Sequence, residues 1–229
     1  MIYLGIEKSN KTFIGIYASA NVYYGLCLYA CWPFSLIPVG LYDSLGLDAV
    51  RFIVRHANLR LVFADNLKRV QTLIDNHDES SPLEIIVSIV QPQSDLVTSA
   101  KEKSIRLITY NELVQLGKEN PTEPRPPKPS DISLIMYTSG STGDPKGTNC
   151  SCQVMKQSFI RFLGCMITHD NLVCVAIGTC MSLGFHELAK EEIPRVLNFL
   201  PLAHMFGCGS ALVLTYLGES LQSVLISIV

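Results

Sequence analysis

The stretch Tyr137–Gly147, "YTSGSTGDPKG", follows directly on the apolar run Ile132–Tyr137. Such a run, bounded by turn residues, is typical of a buried strand, so the glycines should form a loop at its end. Glycine lets main-chain N–H groups approach a ligand closely and form an anion-binding concavity. Hydroxyl groups and one ammonium group add further donors for phosphate: Ser139, Ser141, Thr142 and Lys146. The stretch therefore predicts a site for a nucleotide polyphosphate.

The spacing of this loop excludes two common nucleotide motifs. A Walker A loop needs four residues between its first glycine and the Gly-Lys pair, whereas only two separate Gly140 from Gly143, and Lys146 precedes Gly147 instead of Ser or Thr. The GxGxxG pattern of dinucleotide-binding folds is also absent. A plain Ser/Gly surface turn is the alternative from the residues alone. The order of strand, glycines and lysine favours the phosphate site.

Composition limits the other classes of function. The chain has 229 residues, of which 48% are hydrophobic and 17% charged, with a net charge of −2, which is typical of a protein with a sizeable core. A basic face for nucleic acid is not indicated, so nucleic acid is not a predicted partner. The eight cysteines do not follow a signal peptide, which favours a reducing compartment. Cys150, Cys152, Cys165 and His169 lack regular zinc-ligand spacing, and no metal site is predicted.

Hydrophobic periodicity predicts an α/β fold, with a mainly parallel sheet flanked by helices. Apolar stripes indicate helices over Leu47–Ala57 and over Asn66–Asp75, where Asn66 can cap the first turn. Short apolar runs indicate three buried strands: Arg60–Asp65, Leu83–Val90 and Ile105–Thr109.

The remaining segments are predicted from composition. Phe13–Val39 is interrupted by polar residues and prolines, which favours a buried strand followed by a buried helix over a membrane span. Asn120–Asp131 is too rich in proline for a helix and should be an extended surface connector, with a ligand for an SH3-type domain as the alternative. Thr168–Asn171 can cap a helix over Leu172–Leu183. Ala211–Val229 approaches the length of a membrane span, but polar residues at its centre argue against one.

Several quoted motifs resemble one enzyme superfamily. "IMYTSGSTGDPKG" (Ile135–Gly147) resembles the phosphate-binding signature of the AMP-forming adenylating enzymes. Three further motifs resemble the long-chain fatty acyl-CoA synthetases within it: "LYDSLG" (Leu41–Gly46), "ITHDNL" (Ile167–Leu172) and "LPLAHMF" (Leu200–Phe206). The likeness covers about Thr12–Gly147 and Met166–Phe206. It implies that residues 1–229 are part of an N-terminal AMP-binding domain.

The resemblance implies a two-step reaction. A long-chain fatty acid and ATP with Mg²⁺ would form an acyl-adenylate and pyrophosphate, and coenzyme A would then displace AMP to give a thioester. The residues that would hold the ATP phosphates are Thr138, Ser139, Gly140, Ser141, Thr142, Gly143 and Lys146. His204 matches a position beside the acyl-adenylate and is the candidate catalytic residue, although a lone histidine in such a segment is more often a core residue.

The chain also departs from the family pattern. Thr148–Cys165 separates two motifs that are nearly contiguous in the family, and it is interpreted either as a looped-out insertion or as a gene-model artefact. Residues 207–229 form a divergent apolar tail, and the family's acyl tunnel and mobile C-terminal domain have no counterpart here. We therefore expect the chain alone to be inactive. The alternatives are a non-catalytic nucleotide-binding variant and a membrane-associated interaction protein.

The resemblance finally implies a location. Members of the family work on the cytosolic face of the endoplasmic reticulum or on the mitochondrial outer membrane, which implies peripheral membrane association; a cytoplasmic location is the alternative. The oligomeric state and the acyl-chain preference follow from none of these motifs.

Overall fold

A computed structural model describes residues 1–41, 46–139 and 162–182, together with Cys208. Seven strands of the described residues form one sheet in the order β5-β4-β3-β1-β2-β6-β7. The strands are β1 (Phe13–Tyr17), β2 (Ile37–Leu41), β3 (Leu61–Ala64), β4 (Ile85–Ser88), β5 (Arg106–Thr109), β6 (Ile132–Ser139) and β7 (Phe162–Thr168). The α-helices are α1 (Val22–Cys31), α2 (Leu47–His56), α3 (Leu67–Asp75), α4 (Ser94–Glu102), α5 (Tyr110–Glu119) and α6 (His169–Ser182).

The sheet is parallel from β5 through β6, and only β7 runs antiparallel to its neighbour β6. Two clusters of buried apolar side chains cover its two faces. Side chains of α1, α5 and α6 contribute to one cluster, and those of α2, α3 and α4 contribute to the other. The predicted α/β class with a mainly parallel sheet is confirmed.

Local capping explains where several helices begin. The side chain of Asn66 accepts a hydrogen bond of 2.9 Å from the backbone N–H of Arg69, which confirms the predicted cap of α3. The helix predicted over Leu172–Leu183 begins three residues earlier, at His169, and the predicted cap is the reason. The backbone N–H of Asn171 donates to Thr168 Oγ1 at 3.2 Å, and Thr168 Oγ1 donates to Asn171 Oδ1 at 2.9 Å.

The proline-rich connector Asn120–Asp131 crosses the surface without helix or strand, as predicted. Its centre is fixed to the turn between α1 and β2 by two hydrogen bonds. The backbone N–H of Arg125 donates to Pro33 O at 2.8 Å, and Ser35 Oγ donates to Arg125 O at 2.7 Å. The connector thereby carries the chain back to β6.

Two sequence predictions concern parts of the chain that the structure describes only partly. Phe162–Cys165, the last residues of the segment interpreted as an insertion, lie in β7 and pair with β6. In the described part of the chain, every helix is too short or too polar to cross a membrane. The apolar stretch Ala211–Val229 lies outside the described residues.

Close packing at the middle of the sheet depends on Gly15 in β1. A Cβ atom at this position would lie 2.8 Å from Val62 Cγ2, 3.1 Å from Leu59 Cδ1 and 3.2 Å from Leu41 Cδ1. These distances are shorter than ordinary van der Waals contacts, so a methyl group would displace side chains in the buried core. The absence of a side chain at Gly15 is therefore required by the neighbouring strands.

We expect Gly15→Ala to lower the free energy of unfolding by about 1–3 kcal/mol, because it overpacks the core. The matched control is Gly117→Ala in the exposed part of α5, where a Cβ would meet no atom within 4 Å. That variant should gain up to about 1 kcal/mol from helix propensity. Urea denaturation of both variants measures the difference, and equal effects of the two substitutions would contradict the packing argument.

Candidate active site

The candidate phosphate site begins at the end of β6, on the edge of the sheet where parallel α/β folds bind ligands. Thr138 and Ser139 are the last residues of β6, and their backbones pair with Leu163 and Phe162 of β7. The other predicted phosphate-binding residues lie outside the described residues: Gly140, Ser141, Thr142, Gly143 and Lys146. His204 also lies outside them. The structure thus places the strand that leads into the loop, and the roles of these residues stay predictions.

Tyr137, immediately before Thr138, is buried on the face of the sheet that α2 covers. Its hydroxyl oxygen lies 2.6 Å from Nδ1 of His56, the last residue of α2. The ring of Phe52 stacks on the ring of His56 with 4.9 Å between centroids. Burial raises the pKa of the Tyr137 hydroxyl to about 12, so the phenol is neutral at physiological pH. Sequence reasoning missed His56, because nothing in the periodicity of α2 links it to β6.

A second polar group lies at the same edge, between the ends of β1 and β3. The carboxylate of Asp65 accepts hydrogen bonds from the Ser19 backbone N–H at 2.8 Å and from Asn21 Nδ2 at 3.2 Å. It also forms an ion pair with Arg69 of α3. The side chains of Asp65 and Arg69 are only 9% and 8% exposed. The sequence showed Asp65 at the end of a predicted strand, but not its partners.

Arg69 completes this group. Its Nη1 donates to Ser19 Oγ at 3.0 Å, and its guanidinium carbon lies 5.2 Å from the centre of the Tyr17 ring. Strand order changes direction between β1 and β3, and the crevice at such a point commonly receives a ligand in open α/β sheets. Here protein side chains that bond to one another occupy it. This favours the end of β6 as the phosphate site.

Three buried cysteines among the described residues are poor candidates for a nucleophile, and the described residues offer no metal site. Burial raises the pKa of the Cys27 and Cys208 thiols to about 12, and also raises that of Cys31, so these thiols stay protonated and weakly nucleophilic. The part of the chain that the structure describes has no group of three His, Cys, Asp or Glu side chains that could hold a metal. Four residues were considered above as zinc ligands. Of these, Cys165 lies on β7 and His169 on α6, whereas Cys150 and Cys152 lie outside the described residues.

An open, mainly parallel α/β sheet in which β6 leads into a glycine-rich sequence is typical of nucleotide-binding enzymes, and comparison with known proteins identifies the family. The model of the AMP-binding enzyme family matches residues 1–159. The chain therefore belongs to the AMP-binding enzyme family, as the signature in Ile135–Gly147 predicted.

Curated relatives agree with the long-chain branch. The chain is 31% identical over 210 residues to long-chain-fatty-acid–CoA ligase 5 of Rattus norvegicus, covering 90% of this chain and 28% of that protein. It is 33% identical over 210 residues to long-chain-fatty-acid–CoA ligase 1 of Cavia porcellus, covering 90% of this chain and 27% of that protein. The chain thus spans between a quarter and a third of the length of these relatives.

Solved structures show the same fold. A long-chain-fatty-acid–CoA ligase from Archaeoglobus fulgidus superposes with a TM-score of 0.62 at 18% identity, over 95% of this chain and 35% of that one. A two-domain fragment of a carboxylic acid reductase from Segniliparus rugosus, in complex with AMP, superposes with a TM-score of 0.65 at 17% identity, over 93% of this chain and 27% of that one. At these identities the likeness supports the fold alone.

We expect Asp65→Ala to lower the free energy of unfolding by about 3 kcal/mol or more, because it leaves the Arg69 guanidinium buried without its carboxylate. The double variant Asp65→Leu with Arg69→Met should lose less than Asp65→Ala. Glu84→Ala, which removes an exposed ion pair with Arg60, is the matched control and should cost less than about 1 kcal/mol. Guanidinium denaturation measures all three variants. A cost for Asp65→Ala no larger than that of the control would contradict the buried pair.

Proposed function

We propose that this chain supplies the phosphate-binding part of a long-chain fatty acid–CoA ligase. The observation that carries the proposal is the position of Thr138 and Ser139. They end a strand at the ligand-binding edge of a parallel sheet, and the family signature continues directly from them. The identities of about 30% to long-chain ligases support the substrate class.

In the proposed reaction, a fatty acid carboxylate attacks the α-phosphorus of ATP, and the bond to the leaving pyrophosphate breaks. Negative charge then accumulates on the oxygens of the leaving group. The hydroxyl groups and backbone N–H groups of residues 138–143 and the ammonium group of Lys146 would stabilise that charge without any covalent role. Mg²⁺ enters as part of the substrate MgATP, whose charge it neutralises in part.

In the second step, the thiol of coenzyme A attacks the acyl carbonyl, and AMP leaves as the thioester forms. His204 would lie beside the acyl-adenylate in this scheme. The segments that would select the acyl chain and bind coenzyme A in the family lie beyond the motifs quoted above. We therefore propose catalysis of both steps for the whole enzyme, together with the membrane-surface location that the family implies.

The second candidate is a non-catalytic protein that retains phosphate binding. The polyphosphate loop is complete in sequence, and the chain spans only 28% of one long-chain relative. Exchange of pyrophosphate into ATP in the presence of palmitate separates the two functions. Exchange by the purified chain supports catalysis of adenylation, whereas ATP binding without exchange supports the non-catalytic protein.

We expect Lys146→Ala to weaken ATP binding about tenfold to a hundredfold, because a charge-assisted hydrogen bond to phosphate contributes about 1.5–3 kcal/mol. Stability should change little, because a loop lysine packs against few atoms. Isothermal titration with ATP measures the affinity, and Lys101→Ala on the exposed surface of α4 is the matched control. Unchanged affinity in Lys146→Ala would show that the loop does not hold the phosphates.

A further inference from the structure

His56 and Tyr137 form a buried polar contact between α2 and the end of β6. Nδ1 of His56 lies 2.6 Å from the Tyr137 hydroxyl oxygen, and the two rings meet edge to face at 5.8 Å. Nε2 of His56 is buried and has no hydrogen-bond partner among the described residues. A buried polar atom without a partner costs about 1–3 kcal/mol, so an imidazole at this position carries a cost in stability that an apolar side chain would avoid.

Two neighbours flank the rings, one on α2 and one on β7. Phe52, one helical turn before His56, stacks on the imidazole at an angle of 21° and meets the Tyr137 ring edge to face at 6.5 Å. On β7, Gly164 lies beside the Tyr137 ring: a Cβ added there would be 3.5 Å from both Cε1 and Cζ of Tyr137. The Tyr137 ring is thus confined between α2 and β7.

The position of the Tyr137 ring affects the proposed phosphate site through the backbone of β6, because Thr138 and Ser139 follow Tyr137 directly. In the described residues, β2 pairs with β6 at Ile135 and Met136, and pairing of β6 with β7 continues through Thr138 and Ser139. The side chain of Tyr137 provides an anchor to α2 immediately before them.

We propose that His56 is a positioning residue for phosphate binding: through its hydrogen bond to Tyr137 it fixes the end of β6, and with it Thr138 and Ser139. This inference rests on the proposed function, because it assigns His56 to the same site. A purely structural contact would change stability alone. A positioning contact also changes affinity for ATP, because misplaced donors bind phosphate less well.

The test compares four single variants and one double variant of the chain by ATP titration and by guanidinium denaturation. Tyr137→Phe and His56→Leu each remove the hydrogen bond and should weaken ATP binding about fivefold. The double variant should be no weaker than either single variant, because both substitutions remove the same bond. His56→Asn places a polar atom near the position of Nδ1 and should restore affinity to within twofold of the original chain.

His77→Leu is the matched control. His77 likewise has a buried ring nitrogen without a partner among the described residues. It lies just after α3, far in sequence from the proposed phosphate-binding residues. It should change the unfolding midpoint and leave ATP affinity unchanged. If His56→Leu does not fold, Tyr137→Phe and His56→Asn still decide the question.

Two results would overturn the inference while the proposed function survives: ATP affinity unchanged in Tyr137→Phe, or His56→Asn as weak as His56→Leu. If the original chain binds no ATP, the proposed function itself fails, and the positioning role fails with it. Measuring the original chain first therefore separates the two failures.

Discussion

Parallel pairing is the constraint on which this structure depends. Because β1 to β6 run in one direction, their carboxyl ends meet at one edge, and every polar residue that follows a strand is brought there. The pairing also requires helices on both faces, since β2, β3 and β4 are buried along their whole length. At the centre, β1 lies between β2 and β3, and the missing side chain of Gly15 makes room for Val62 and Leu41. The edge at which these polar residues meet is thus a consequence of how the core packs.

That edge carries a buried ion pair and the proposed phosphate site. Between β1 and β3 the acceptor oxygens of Asp65 and the donors of Arg69 bond to protein groups, so this part of the edge ties two loops together. At β6 the strand leads into a sequence rich in glycine and hydroxyl groups, which is the proposed phosphate site. Buried charges are stable only when paired, whereas a phosphate site needs donors that are not already bonded within the protein. The buried ion pair and the proposed phosphate site therefore have opposite requirements, although they lie on one sheet.

Sequence reasoning succeeded where a local rule acts and failed where a distant contact decides. The cap at Asn66 and the strand Leu61–Ala64 were predictable, because capping and apolar runs depend on neighbouring residues. Strand β2 was not predicted, since its Pro38 argues against a central strand. In the structure β2 pairs with β6 from Val39 onward, so the N–H that Pro38 lacks is not needed for this pairing. Helix α5 was missed because Leu113 is its one buried residue. For the site, the loop signature stays a prediction, whereas His56 lies 81 residues from Tyr137 and only the fold brings them together.

The connector Asn120–Asp131 shows how composition can follow from topology. The chain leaves β5 at one edge of the sheet and must return to β6, beyond β2, which is five strand spacings or about 24 Å away. A helix over these residues would span only about 18 Å, whereas an extended proline-rich segment spans about 37 Å. The hydrogen bonds at Pro33 and Ser35 then direct the segment across the turn that precedes β2. Proline keeps the connector extended before it binds, which lowers the entropy lost on folding. The crossover that puts β6, and therefore the phosphate signature, beside β2 thus explains why this segment is rich in proline.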